Sequence, residues 1–392
     1  MNVDPKNSDI QVLRILAAGL VLLQHFSFTP TFIGLVTPYF HMPFYLGVEI
    51  FFVISGYVVT KSLHHARNGR PSSAAGFFIR RIFRLYPAIF VFLFISGIGY
   101  IFVRLGDFTS FEFSKAQFLE ETLRVLSGTV IIDNKPVLYT NGAMWSLSVE
   151  FQFYFLYTLL WLILSPRAIQ PYRKKIILAV ALAAFLVCLI TRITIIGGHV
   201  PGRLMYYFLN WKFDFIITGV LIAYLPKIMG YNIFYTGFII TLPFWLASLV
   251  AGNPDQSTLS AYALREGLIH TIFLFSTGFL VWAASVHHIF PPSHGRLYSA
   301  LVWLGDRSYG IYLFHFPIFL LVWIFFATCF PFAFSTAIRY AFSQVLFSLP
   351  IIICFSALSY TLIEQPLNAR GKKIADAIDF RPNRKAEGPV QP

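Results

Sequence analysis

The sequence predicts an all-α fold: a polytopic transmembrane helical bundle of about ten spans, with both termini cytoplasmic. Three observations carry that reading. Hydrophobic residues make up 57% of the 392-residue chain and charged residues 12%, about half the charge of a soluble domain, and the mean hydropathy is +0.68. Apolar runs of about 17–25 residues recur along the whole length, each able to cross a bilayer as a helix, where a β-barrel would show ~10-residue alternating segments. The net charge of +13 follows topology rather than a nucleic-acid footprint. Of 30 Lys and Arg, roughly 21 fall in or beside the N-terminal segment, alternate loops and the C-terminal tail, and about 8 in the opposite loops.

Spans are expected near residues 12–28, 43–62, 83–103, 144–164, 176–195, 206–225, 233–251, 267–285, 309–330 and 339–362. The first apolar run lacks a basic lead-in and a small-residue cleavage site, so it reads as a retained span. A short hydrophobic segment within 110–130 leaves the count open. Residues 1–366 read as one integral membrane domain, and residues 367–392 as a cytoplasmic basic tail expected to be disordered, above all beyond Phe380. Cys188, Cys329 and Cys354 lie in apolar segments and read as packing residues. No spacing suggests a metal site, and neither a His-Glu-x-x-His pattern nor a phosphate-cradling Gly-rich loop is present.

The chemistry is concentrated where lipid should exclude it. Arg14 and His25 lie eleven positions apart in the first span. At ~100° per residue they leave nearly the same helix face, ~16 Å apart along the axis. On the expected topology His25 is near the outer end. Glu49, in Gly47-Val48-Glu49-Ile50-Phe51-Phe52-Val53-Ile54-Ser55-Gly56, is about two turns below the outer start of the second span. Glu150, in Trp145-Ser146-Leu147-Ser148-Val149-Glu150, sits at similar depth in the fourth. A carboxylate beside an imidazole fixes its tautomer and supports its protonated form, as a general base requires. The plainer readings are an interfacial histidine, a structural partner for Glu49, and a helix-start carboxylate for Glu150.

Arg80-Arg81-Ile82-Phe83-Arg84-Leu85-Tyr86-Pro87 places three guanidiniums at the inner mouth of the third span, with Arg14 approaching from the first. Such clusters bind phosphate through paired charge-assisted hydrogen bonds, although inner helix ends also carry arginines simply as topology and lipid anchors. In the ninth span Tyr312 is one turn from Ser308 and from His315, so the three can line one face. His315 is expected in the inner half, nearer the arginines than His25. Lys212 and Asp214, two positions apart in the sixth span, do not face each other and must each find another partner. Four deep charges (Glu49, Glu150, Lys212, Asp214) cost ~10–14 kcal/mol at ~2.5–3.5 each, so a hydrated internal cavity is the economical explanation. The alternative, a transporter or exporter of a glycan or lipid-linked glycan, is weakened by the lack of internal repeats.

Taken in order, Arg14…His25, Gly47-Val48-Glu49…Phe51-Phe52-Val53-Ile54-Ser55-Gly56-Tyr57, Arg80-Arg81-x-x-Arg84-x-x-Pro87, Trp145-Ser146-Leu147…Glu150…Phe153-Tyr154, Ser308-Tyr309…Tyr312-Leu313…His315 and Glu364-Gln365-Pro366 resemble acyltransferase family 3. Its members are integral membrane enzymes that O-acylate bacterial surface polysaccharides, Nod factors and some macrolides. The likeness spans ~10–366. It implies transfer of an acyl group, usually acetyl, from cytoplasmic acetyl-CoA as donor substrate to a sugar or polysaccharide hydroxyl, by a multi-pass protein of the bacterial cytoplasmic (inner) membrane. It also implies that His25 and Arg14 are essential and that Arg80, Arg81 and Arg84 serve the CoA side. Some relatives carry a further extracytoplasmic hydrolase-like domain at the C-terminus, so transfer here is expected to finish in the membrane domain or with a partner.

The resulting expectation is a relay. CoA phosphates dock on Arg80, Arg81, Arg84 and Arg14, with Tyr312 and His315 along the donor's path. The thioester meets His25, oriented by Glu49 or Glu150, which either deprotonates the sugar hydroxyl or accepts the acyl group first. Tyr312, Ser308 or Asn141 would donate to the oxyanion.

Overall fold

The computed structural model describes residues 7–27, 46–64, 72–105, 114–130, 142–166, 168–199, 202, 205, 209, 212–226, 263–286, 295–329 and 343–379. Among them the chain is helical, without strands. The helices are α1 (Ser8–Ser27), α2 (Gly47–His64), α3 (Ala74–Leu105), α4 (Lys115–Ser127), α5 (Met144–Ile163), α6 (Arg173–Ile196) and α7 (Phe213–Ile222). Then follow α8 (His270–Ser285), entered through a π-type turn at Ala263–Ile269, α9 (Arg296–Cys329), α10 (Leu349–Ser359) and α11 (Gln365–Asp379).

Six helical stretches among the described residues are long and apolar enough to cross a membrane. They overlap the expected spans at 83–103, 144–164, 176–195, 267–285, 309–330 and 339–362. Helices α1 and α2 overlap the first two, α7 covers part of 206–225, and the span expected at 233–251 lies outside the described residues. The segment 110–130 holds α4. Its 13 residues reach only about 20 Å, too short to span. A Ser114/Gln117 capping box starts it and Gly128, at φ 67°, ends it; that left-handed backbone suits glycine. It returns alongside α3, with Phe118 stacked on Tyr100 and the Tyr86 hydroxyl donating to the Leu126 carbonyl at 2.6 Å.

Two helix pairs position the site. The first is α1 with α9, running side by side in the same direction. Tyr298 donates to Asp9 at 2.7 Å, Gly305 lets the backbone at Gln11 approach, and His315 meets His25. The second is α2 with α7, where Gly56 and Gly219 bring the backbones together: a β-carbon on Gly219 would overlap the Val53 carbonyl. Gly219→Val should therefore cost about 1–3 kcal/mol or more, seen as a lower unfolding temperature in detergent. Gly19→Ala, at a position where an added β-carbon meets nothing, should leave that temperature in place.

The structure changes one boundary at the C-terminus. Residues expected to begin a disordered tail at 367 continue as α11, which packs on the first turns of α3. Gly371 lies against Phe83, and Asp379 accepts from the Ser73 backbone N–H at 2.9 Å and from Arg80 at 2.7 Å. Ser73 in turn caps α3 through Gly76, so the α11 carboxylate buttresses a helix N-terminus. The composition of the segment is polar, but its buried Gly371 and Ala375 give it a face to pack.

Candidate active site

Helices α1, α2, α3, α5 and α9 line a cavity of about 80 Å³. Arg14, Arg81, Arg84, Ser55, Glu150 and Tyr312 are in its wall. Each reaches it because its helix turns a polar side inward. Glu150 is one turn ahead of Tyr154 on α5, and one carboxylate oxygen accepts from the hydroxyls of both Tyr154 and Ser55. Arg81 donates to Ser62 at 3.0 Å and lies over the rings of Phe77 and Tyr154. Arg84 lies over Tyr309, with Glu364 at 3.9 Å. Glu150 and Asp306 lie within electrostatic range of Arg14. Three guanidiniums in one partly desolvated wall make a site for an anion with several oxygens.

At the other end of the cavity the Tyr312 hydroxyl meets Ser146 Oγ at 2.6 Å and the Ala143 carbonyl at 3.2 Å. One turn further along α9, His315 is fully buried. Its Nδ1–H donates to the Tyr312 carbonyl, and its Nε2 lies 2.9 Å from His25 Nδ1, the two rings inclined by 26°. Phe316 packs on the His25 ring with centroids 4.3 Å apart. The arginines, Glu150 and Tyr312 thus share the cavity wall, and the imidazole pair lies one turn beyond Tyr312 along α9.

Several expected placements differ. His315 is beside His25, not in the arginine half. Helix α9 begins at Arg296 rather than near 309, so His315 is 19 residues, about 28 Å, from its start and about 21 Å from its end. His25 is in the last turn of α1, as expected, beside a helix that continues about 21 Å beyond His315. Arg80 leaves the other arginines: it is engaged by Asp376, Asp379 and Ser72 at 3.2, 2.7 and 2.7 Å. Asn141 lies outside the described residues.

Glu49 belongs to a different group. Ser55 follows it by six residues, so the two side chains point about 120° apart around α2. The Glu49 carboxylate faces α8, with Oε1 2.7 Å from His270 Nδ1. His270 Nε2 lies 3.5 Å from Glu266, which takes a 2.7 Å bond from Lys212. Arg192 pairs with Asp214 at 2.6 Å and also donates to the Glu266 backbone carbonyl. Lys212 has left-handed backbone, φ 57°, in the turn where its ammonium meets Glu266. These are the partners that Lys212 and Asp214 require, and all six residues are buried. Sequence reasoning missed Arg192, Glu266 and His270, and it left Ser55, Ser146 and Tyr154 without roles. The i,i+4 spacings Glu150–Tyr154 and Glu266–His270 were the available signals.

The bundle thus combines helices long and apolar enough to cross a membrane with buried polar groups between them. Its family follows from comparison. The acyltransferase domain family matches residues 7–364, and the chain belongs to that family, acyltransferase family 3. It is 25% identical over 327 residues to the peptidoglycan O-acetyltransferase OatA of Listeria monocytogenes, covering 79% of this chain and 49% of OatA. It is 26% identical over 354 residues to YrhL of Bacillus subtilis, provisionally named a peptidoglycan O-acetyltransferase, covering 83% of this chain and 51% of YrhL. The chain thus spans about half the length of these curated relatives. No solved structure matches it significantly.

Proposed function

We propose that the chain is a membrane O-acetyltransferase that moves acetyl from acetyl-CoA, bound at the arginine end, to a hydroxyl of a cell-wall or other surface glycan reaching His25 from the opposite face. The observation that carries this reading is the shared wall of Arg14, Arg81, Arg84 and Glu150, continued by Tyr312 to the His25–His315 pair. The relatives' names point to peptidoglycan as the acceptor class. The arginine end would then face the cytoplasm, where acyl-CoA is made, in agreement with the lysine and arginine distribution.

In the proposed reaction CoA phosphates engage Arg81, Arg84 and Arg14. The axial distance from Arg14 to His25, about 16 Å, suits the long flexible pantetheine arm. At about 80 Å³ the cavity is below the ~300 Å³ at which whole-ligand sites begin, so side chains must turn aside to admit the arm. At the thioester, His25 takes the sugar hydroxyl proton while the hydroxyl oxygen attacks the carbonyl carbon. The C–S bond then breaks, and the imidazolium returns the proton to the departing thiolate sulfur. The Tyr312–Ser146 hydroxyl pair stands nearby as a donor for the oxyanion.

Titration calorimetry with acetyl-CoA tests the donor half. Arg81→Lys keeps the charge but loses the planar fork, and should weaken binding about tenfold, or ~1.4 kcal/mol. Arg80→Lys, at a residue occupied by α11, should lower thermal stability with little change in that affinity. Equal affinity for wild type and Arg81→Lys would remove the phosphate role.

A further inference from the structure

The structure assigns His315 as a positioning residue: it fixes the tautomer of His25 and so decides which nitrogen of His25 meets the acceptor hydroxyl. This rests on the reading of His25 as the base, and it deepens that reading.

The argument follows hydrogens along the pair. The Tyr312 carbonyl can only accept, so the proton of neutral His315 is on Nδ1. Its Nε2 then holds a lone pair, directed at His25 Nδ1 from 2.9 Å. That neighbour calls for a donor, and the His25 proton resides on Nδ1. The lone pair of His25 is left on Nε2, the nitrogen turned away from His315. That is the atom a sugar hydroxyl must reach. Because the pair is anchored to a backbone carbonyl rather than a carboxylate, the positive charge gained when His25 Nε2 takes a proton can be shared with His315 Nε2 across the 2.9 Å contact but passes no further. The proton stays with the pair until the thiolate sulfur claims it.

The rings are held to match. His315 is completely buried and sits against Phe319 and Phe316 with centroids 5.6 and 4.5 Å away. Phe316 touches both imidazoles. A lone buried imidazole is more often a packing group than a working one; a carbonyl–imidazole–imidazole chain ending on a family motif residue is a directed arrangement.

The test uses inverted membrane vesicles of the source organism, deleted for this protein and complemented with the full chain or a variant. Radiolabelled acetyl-CoA is supplied, and base-labile label in the endogenous glycan is counted against donor concentration. His315→Leu keeps the bulk but removes the acceptor. It should lower the maximal rate on the order of 10–100-fold, part of the 10²–10⁴ a positioned base contributes, with the apparent KM for acetyl-CoA within twofold. His315→Gln supplies an amide oxygen to accept from His25 and an amide N–H for Tyr312, and should recover the rate to within about tenfold of wild type. Equal loss in both variants, a full rate in His315→Leu, or a change confined to KM overturns the assignment. His25→Ala in the same vesicles separates the two claims. If it stays active, the base itself is elsewhere; if it is dead while His315→Leu is fully active, only the role of His315 fails.

Discussion

Replacing His25 with alanine is expected to abolish acyl transfer while leaving a folded, membrane-inserted protein. Loss of a positioned general base costs about 10²–10⁴ in rate, and His25 meets His315 and Phe316 from the last turn of α1, so the packing loss should be confined to the end of that helix. Counting base-labile acetyl in surface glycan, beside protein yield from membranes, checks both halves. Ordinary acylation by His25→Ala would exclude the mechanism proposed for this site. Loss of the protein from the membrane would show instead that the imidazole pair holds α1 to α9.

The second large effect is on stability. Arg192→Met should destabilise the protein by about 3–5 kcal/mol, because it leaves the Asp214 carboxylate in the bundle without its guanidinium. Both side chains have no exposure to solvent, and their atoms are 2.6 Å apart. Arg192→Met combined with Asp214→Leu should regain most of the loss, since an apolar pair replaces a buried ion pair at little cost. Thermal unfolding of purified protein in detergent, followed by the fraction eluting as a single species, reads the difference. A double variant no better than the single one would mean that the arginine's bond to the Glu266 carbonyl, not its charge, supports the fold.

The fold class was legible because it depends on composition and run length, which the bilayer turns directly into helices. Arg14 and Tyr312 reach the same cavity for a reason visible in sequence: each lies on the polar side of an apolar helix. Elsewhere, partner identity is tertiary. Nothing local to Asp214 names Arg192, 22 residues earlier across another helix, or ties Glu49 to His270. The turn of α2 does separate Glu49 from Ser55, and following that angle would have parted Glu49 from Glu150. His315 was placed too low because α9 begins with Arg296 and carries Asp306 and Arg307 within it; an apolar-run criterion starts the helix late. Arg80 and Arg81 are adjacent, about 100° apart, so one faces α11 and the other the cavity, a division that charge counting cannot see.

Helix α2 stands between the two polar groups, with Ser55 bonded to Glu150 on one side and Glu49 against His270 on the other. Its glycine and that of α7 leave no slack between their backbones. A rotation or slide of α2 would break polar contacts on both flanks at once, so this helix is a fixed partition. On the proposed function, room for the donor must therefore come from the walls that α1, α3, α5 and α9 supply.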